Sequence, residues 1–170
     1  MNLVLISDTH LVDDLSLLPQ DSIPIIKKAD LVIHCGDIVS LKAFAFFKSI
    51  SKSFIAVQGN WDYELTALPL FEMLDVEGIR IGITHGHLNV GSYGKINGSI
   101  STYRSYNLFK QNLPEIIAYG HSHESSDFLY KNVRMINPGS LGEGQRSLAV
   151  IDINQGEIKV KINYFNLMVS

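Results

Sequence analysis

The sequence predicts an α/β fold, either a two-sheet α/β/β/α layered domain or a plain doubly wound sheet, and two observations carry that prediction. Short apolar runs alternate with helix-period segments in the first part of the chain, which implies right-handed crossovers and a parallel sheet. The second part is richer in strand signals, with short alternating runs set close together, which asks for further strands or a second sheet.

The elements follow in order. Residues 3–7 are a short apolar run opening into Asp8-Thr9-His10, the pattern of a buried strand that enters a loop. Residues 21–28 read as a short helix starting near Pro24, a residue tolerated in a first helical turn. Residues 31–34 are a second buried strand and stop at Cys35-Gly36-Asp37. Ser40 can cap the next helix, on which Leu41, Phe44, Phe47 and Lys48 keep helical spacing. Residues 54–57 are a third strand, ending at Gly59-Asn60-Trp61-Asp62. Residues 71–76 and 79–84, joined through Glu77-Gly78, read as a hairpin. Residues 101–112 are a helix stopped by Leu113-Pro114, and residues 116–119 a strand running into Gly120-His121-Ser122-His123. Residues 128–130, 133–136, 147–153 and 157–164 then alternate like a β meander.

Residues 1–170 are read as one domain, since that length supports one well-formed core. A composition of 46% hydrophobic and 18% charged residues is that of a globular rather than a disordered chain. The formal charge is −3 with no Lys/Arg cluster, which argues against a duplex nucleic-acid footprint. A single nucleotide or other small phosphodiester remains compatible. Cys35 is the one cysteine, so no internal disulfide is expected. The amino terminus lacks a basic segment and a small-residue cleavage site, and no apolar run reaches the roughly 18 residues of a membrane helix. The expected setting is cytoplasmic, without a membrane partner. The Asn166-Leu167-Met168-Val169 stretch fits a homo-oligomer or an ordinary terminal strand equally well.

One regularity outweighs any single motif. Nearly every strand stops at a side chain able to hold a metal: Asp8 and His10, Asp37, Asn60, His85, then His121 and His123. In open α/β sheets the functional crevice lies beyond the carboxyl ends of the strands, so residues distant in sequence are gathered there. Asp8 and His10 stand two apart in what reads as an extended segment, as do His121 and His123, so each pair leaves one face. Gly36, Gly59, Gly86 and Gly120 stand beside these residues and permit tight turns and close backbone approach. Singly, each element is an ordinary turn, loop or core histidine. Four of the six histidines at strand ends, together with Asp and Asn at the others, are poorly explained by chance.

Asp8-Thr9-His10, Gly36-Asp37, Gly59-Asn60-Trp61-Asp62, Thr84-His85-Gly86-His87 and Gly120-His121-Ser122-His123, in this order, resemble the calcineurin-like metallophosphoesterases. Asn137-Pro138-Gly139-Ser140 and the short chain make it similar to their compact YfcE-type phosphodiesterase branch. The resemblance implies two mixed sheets flanked by helices and a binuclear centre. Carried over by position, it makes Asp8, His10, Asp37 and His123 ligands of one divalent ion. It makes Asp37, Asn60, His85 and His121 ligands of the other, with Asp37 bridging. Such a site keeps a net charge of about +2 and can hold a bridging hydroxide and an anionic ester, with ions roughly 3.5–4 Å apart clamping the oxygens of an in-line displacement. Imidazole, carboxylate and amide donors suit Mn²⁺, Fe²⁺, Ni²⁺, Co²⁺ or Zn²⁺, and Mn²⁺ is the ion expected to support activity in an assay.

The implied activity is phosphodiester hydrolysis on a small, nucleotide-like substrate, with Asp37, Asn60 and His85 central to it. Trp61 stands where many larger members of the family carry a histidine that aids leaving-group departure, which favours good leaving groups. It can stack on a base or aryl group, or serve packing. Asp62 is expected to orient a ligand or its loop. His87 is a candidate for phosphate contact or for supporting a ligand. His34 and Cys35 read as buried packing residues, Asn137 to Ser140 as a turn supporting the His121-His123 loop, and Arg104 and Arg146 as candidates for a phosphate oxygen. Two other readings compete. One is a weakly catalytic protein-interaction scaffold of the same fold, as in a eukaryotic retromer subunit with an altered ligand set. The other is a phosphomonoesterase, which would call for more basic residues near the site.

Overall fold

A computed structural model describes residues 1–12, 14–89 and 99–166. Two mixed five-stranded sheets are stacked and flanked by helices. The first sheet has the order β10-β9-β1-β2-β3, built from β1 (Asn2–Ile6), β2 (Leu31–His34), β3 (Phe54–Ala56), β9 (Arg146–Asn154) and β10 (Glu157–Phe165). The second has the order β4-β5-β6-β8-β7, from β4 (Phe71–Val76), β5 (Ile79–Thr84), β6 (Ile116–Ala118), β7 (Ser126–Tyr130) and β8 (Val133–Asn137). Each sheet has three parallel strands, β1-β2-β3 at one side of the first, with β9 and β10 antiparallel beyond β1, and β5-β6-β8 at the centre of the second, with β4 and β7 antiparallel outside.

The central strands read as continuous apolar runs because both of their faces are covered. On β1, Leu3 and Leu5 point between the sheets and meet Ile81, Ile83, Ile116 and Ile136 of the second sheet. Val4 and Ile6 point outward, into a cluster with Ile26 of α1 (Ser22–Lys28) and Ala43 and Phe47 of α2 (Leu41–Ile50). On the far side, Ile117 and Met135 pack against Tyr106 and Phe109 of α3 (Ile100–Phe109). Three apolar layers thus lie between four structural layers, the α/β/β/α arrangement expected; the plain doubly wound sheet is excluded.

Local chemistry sets the helix starts. Ser40 Oγ accepts from the Ala43 amide at 3.1 Å, the cap read from the sequence. Ser99 does the same for α3, accepting from Thr102 N at 3.1 Å, so that helix begins at Ile100 and ends at Phe109 rather than spanning 101–112. A 3-10 helix, Leu15–Leu17, capped by Asp14, was not foreseen. The meander is corrected as well. β7-β8 and β9-β10 are hairpins in different sheets, and β8 and β9 pair instead with β6 and β1. Among the described residues, no helix is long and apolar enough to cross a membrane. Residues 167–169, weighed for an oligomer contact, lie outside the described residues.

Candidate metal centre

The carboxyl ends of β1, β2, β3, β5 and β6 bring all seven sequence-predicted residues to one crevice between the sheets. The first sheet supplies Asp8, His10, Asp37 and Asn60, and the second supplies His85, His121 and His123. Two groups of donor atoms lie within 4.8 Å of one another: Asp8, His10 and His123, and Asp8, Asp37 and His85. His123 Nε2 is 3.3 Å from both Asp8 Oδ1 and His10 Nε2. His85 Nε2 is 3.2 Å from Asp37 Oδ2 and 3.1 Å from Asn60 Oδ1. Both carboxylates lie between the groups: Asp37 Oδ2 is also 3.7 Å from His10 Nε2, and Asp8 Oδ1 is 3.9 Å from the Nε2 atoms of His10 and His85. The His121 ring stands 5.0 Å from that of His85, centroid to centroid.

The loops reach this geometry by an unexpected route. Asp8 and His10 do not lie in an extended segment: their φ angles are 50° and 47°, and those of Asp37, His121 and His123 are 56°, 72° and 59°. Left-handed residues at alternate positions turn each pair of side chains inward. Such conformations cost about 1–2 kcal/mol per residue and are held by hydrogen bonds from elsewhere in the chain. Asp8 N donates to Gly36 O at 3.0 Å, and Thr9 N to Asp37 O at 3.0 Å. Ser140 Oγ donates to Asp8 O at 2.6 Å, and His121 N to Asp8 Oδ2 at 3.0 Å.

Asp62 is the hub of the first sheet's loops. Its buried carboxylate accepts from the amides of Asp37 (2.9 Å), Val39 (2.7 Å) and Gly59 (2.7 Å). Val39 has φ 80°, a conformation costly for a β-branched residue. Gly59 has to be glycine, because a Cβ there would land on the Asp37 carboxylate and amide. Gly36 combines φ +95° with a Cβ position 2.7 Å from His85 Nδ1. Asn137 spans the second sheet's loop, donating to Gly120 O at 3.2 Å and Ser122 Oγ at 3.0 Å. Ser140, fully buried, is spent on Asp8.

The charges explain why this cluster requires a positive centre. His85 Nδ1 lies 2.8 Å from Cys35 O. A carbonyl only accepts, so Nδ1 carries the proton and Nε2 turns its lone pair toward the Asp37 and Asn60 oxygens. Asp8 Oδ1 is buried and has no hydrogen-bond partner among the described residues. Acceptors therefore face acceptors, an arrangement costly in a dry site and relieved by a proton or a cation. Burial pushes the His85 pKa down, but the Asp37 hydrogen bond and the Asp8 and Asp37 charges raise it above its ordinary value. The close Asp8 carboxylate and its charge raise His123, against burial. Burial raises Asp8 and Asp37, yet the facing His123 and His85 bring Asp8, and His85 with the Trp61 amide brings Asp37, below the usual carboxylate range. The donor set thus fits divalent ions: His10, His85 and His123 present Nε2, no thiolate takes part, and an unsatisfied carboxylate oxygen points inward.

Other expectations resolve individually. His87 lies beside the site, its ring 5.3 Å from that of His85, and burial with the nearby His85 and His121 charges pushes its pKa down to about 4. His34 is buried behind the crevice, edge-on to Phe47, its Nε2 3.2 Å from Thr9 Oγ1. Burial pushes the Cys35 thiol up, as for a packing residue. Arg104 donates to Asn89 Oδ1. Arg146 donates to Leu17 O at 2.6 Å and lines a separate cavity with Ser16 to Asp21, which removes it as a phosphate ligand. Sequence reasoning missed Glu143, whose Oε2 is 3.7 Å from His123 Nδ1; no spacing signal marks a loop residue of that kind.

Residues 1–156 match the calcineurin-like phosphoesterase superfamily domain. The chain belongs to that family. A probable metallophosphoesterase of Methanocaldococcus jannaschii is 31% identical over 135 residues, 79% of this chain and 65% of that protein, so the chain spans just under two thirds of that relative's length. A phosphodiesterase of the same organism is 29% identical over 161 residues, covering 82% of this chain and 83% of its own. A solution structure of a Thermotoga maritima protein superimposes with a TM-score of 0.72 at 32% identity, over 96% of this chain and 99% of that one. Zinc-complexed Vps29 of Entamoeba histolytica gives a TM-score of 0.74 at 20% identity, over 98% and 100%, a likeness of fold alone.

Proposed function

We propose that the chain is a two-metal phosphodiesterase for a small, nucleotide-like diester, with Asp8, His10, Asp37 and His123 holding one divalent ion and Asp37, Asn60, His85 and His121 the other. The observation that carries this is Asp8 Oδ1, buried without a hydrogen-bond partner among the described residues and facing the Nε2 atoms of His10, His85 and His123. Asp37 is the natural bridge, because its Oδ2 reaches toward His10 and His85 while its Oδ1 is held by Trp61 N at 2.8 Å. Bound ions would supply Lewis-acid activation of water and neutralise charge on the phosphoryl oxygens.

The chain's own residues prepare that chemistry. Cys35 O fixes the tautomer of His85, Asp62 holds the loops carrying Asp37 and Asn60 in register, and Asn137 sets the loop of His121 and His123. A diester, with one negative charge, fits better than a dianionic monoester. The cavity beside the cluster is lined by His10, Val12, Val39, Trp61, His123 and Glu143, and its one formally charged side chain is an acid. The scaffold alternative, drawn from a shared fold, leaves the convergence of seven donors unexplained.

The test is purification without chelator, metal analysis, and hydrolysis of bis(p-nitrophenyl) phosphate and p-nitrophenyl phosphate with and without Mn²⁺. Two ions per chain and a Mn²⁺-dependent preference for the diester are expected. Undiminished rates after metal removal, or in His123→Ala protein, would sink the two-metal reading. Two bound ions with no turnover of either ester would favour the scaffold.

A further inference from the structure

Beside His10 and His123 lies a cavity of about 410 Å³, walled by Val12, Val39 and Trp61 and closed on one edge by Glu143. Trp61 is the only tryptophan in the sequence, and it is 53% exposed. Its main chain is not free to move. Trp61 N donates to Asp37 Oδ1 at 2.8 Å, and Trp61 O accepts from Tyr63 N at 2.9 Å. The indole meets His10 and Tyr63 in perpendicular contacts, with centroids 6.4 Å and 6.2 Å away. A large apolar ring is thus held in place at the mouth of a charged crevice yet left open to water. Val12, 60% exposed, and Val39, its strained backbone pinned by Asp62, extend the apolar wall.

This combination differs from an ordinary exposed side chain. Ligand pockets pair apolar walls with a few directed polar groups; here the walls are indole and valine, and the polar groups are imidazoles of the proposed metal centre. An indole face takes planar π-systems with little regard to their identity. We propose that this cavity is a subsite for a planar aromatic substituent of the substrate, stacked on Trp61 while the phosphoryl group faces His10 and His123. The inference rests on the phosphodiesterase reading of the adjoining centre and adds the class of ester group preferred. A nucleobase and a simple aryl group share this chemistry.

The experiment measures binding, so it does not depend on turnover. Mn²⁺-loaded wild type, Trp61→Phe and Trp61→Leu are titrated calorimetrically with phenyl phosphate, adenosine 5′-monophosphate and methyl phosphate. Tryptophan emission is followed in the wild type, where Trp61 is the sole source of it. Stacking on an aromatic side chain is worth roughly 5- to 100-fold in affinity. The wild type is expected to bind phenyl phosphate about tenfold more tightly than methyl phosphate, with quenching by the aromatic ligand alone. That preference should survive in Trp61→Phe and vanish in Trp61→Leu, while methyl phosphate binding stays unchanged. Tighter binding of the nucleotide than of phenyl phosphate assigns the subsite to a base, and the reverse to an aryl group. Equal binding of phenyl and methyl phosphate in the wild type, a preference that persists in Trp61→Leu, or binding of none of the three overturns the proposal. Absence of bis(p-nitrophenyl) phosphate hydrolysis with the aromatic preference intact would overturn the catalytic reading and leave the subsite standing.

Discussion

Among the described residues other than glycine, left-handed backbone occurs in two settings, with opposite meanings. At the hairpin turns it falls on Glu77-Gly78, Lys131-Asn132 and Gln155-Gly156, where both residues of each pair have positive φ. Two-residue hairpin loops demand that geometry because it matches the strand twist, and Gly or Asn at three of the six positions makes it inexpensive. At the crevice, besides Gly36 and Gly86, it falls on Asp8, His10, Asp37, Val39, His121 and His123, none of them in a hairpin. There the conformation is imposed from outside, by Asp62, Gly36 O, Asp37 O and Ser140. The turns are local solutions to a local problem. The crevice is a local problem solved by distant residues, a common signature of functional sites.

Five measurements would break or sharpen that contrast. Asp37→Asn removes a charge between the two donor groups, and its activity is expected to fall by more than the 10- to 100-fold typical of an outer hydrogen-bond partner. Metal content and bis(p-nitrophenyl) phosphate turnover are the readouts. Asp62→Asn keeps shape but replaces a carboxylate holding three amides by a single acceptor. A 10- to 100-fold loss in metal affinity or kcat is expected, with little change in circular dichroism; unaltered activity would mean that the loops hold themselves. Gly36→Ala forces a Cβ into the left-handed region against His85 and should cost roughly 1–3 kcal/mol, read as a lower melting temperature.

The pH prediction concerns protons competing with the metal. His85 and His123 have raised pKa values, so in the metal-free protein each holds its proton more tightly than an ordinary histidine. Their stabilisation of that state is complete below pH 6.5 and is lost as pH rises through the folded values. Binding a divalent ion must expel these protons. Calorimetry in buffers of different ionisation enthalpy should show proton release on Mn²⁺ binding at about pH 6.5, fading as pH rises through the raised values. A buffer-independent heat at that pH would contradict them. The smallest effect belongs to a turn: Gln155→Asn makes an Asn-Gly pair and should raise stability by about 0.5 kcal/mol without touching activity.

The same contrast explains what was legible in the sequence. Residues 31–34, the hairpin over 71–84 and the Ser40 cap were readable because their causes lie within a few residues. All seven candidate donors were readable too, since ending a strand is a property of sequence order. The alternating inward turns were not: the partners that hold Asp8, such as Ser140 and His121, lie more than a hundred positions away. Nor was the division of the last four strands between two sheets, because the alternation of β8 and β9 is indifferent to whether the neighbour is β6, β1 or the preceding strand. Glu143 and Val39 reach the crevice from loops whose paths follow from that pairing.

The hydrogen bonds that hold Asp8 also tie the two ends of the chain together. His10 and His123, and Asp8 and His121, are separated by 113 residues, and Ser140 and Asp8 by 132. Closing such loops carries an entropy cost that neighbouring groups alone do not repay. These bonds have their partners in place only where the parallel strands of both sheets are in register. The crevice is therefore assembled from segments that only the paired sheets bring together, as the β1–β9 ladder is.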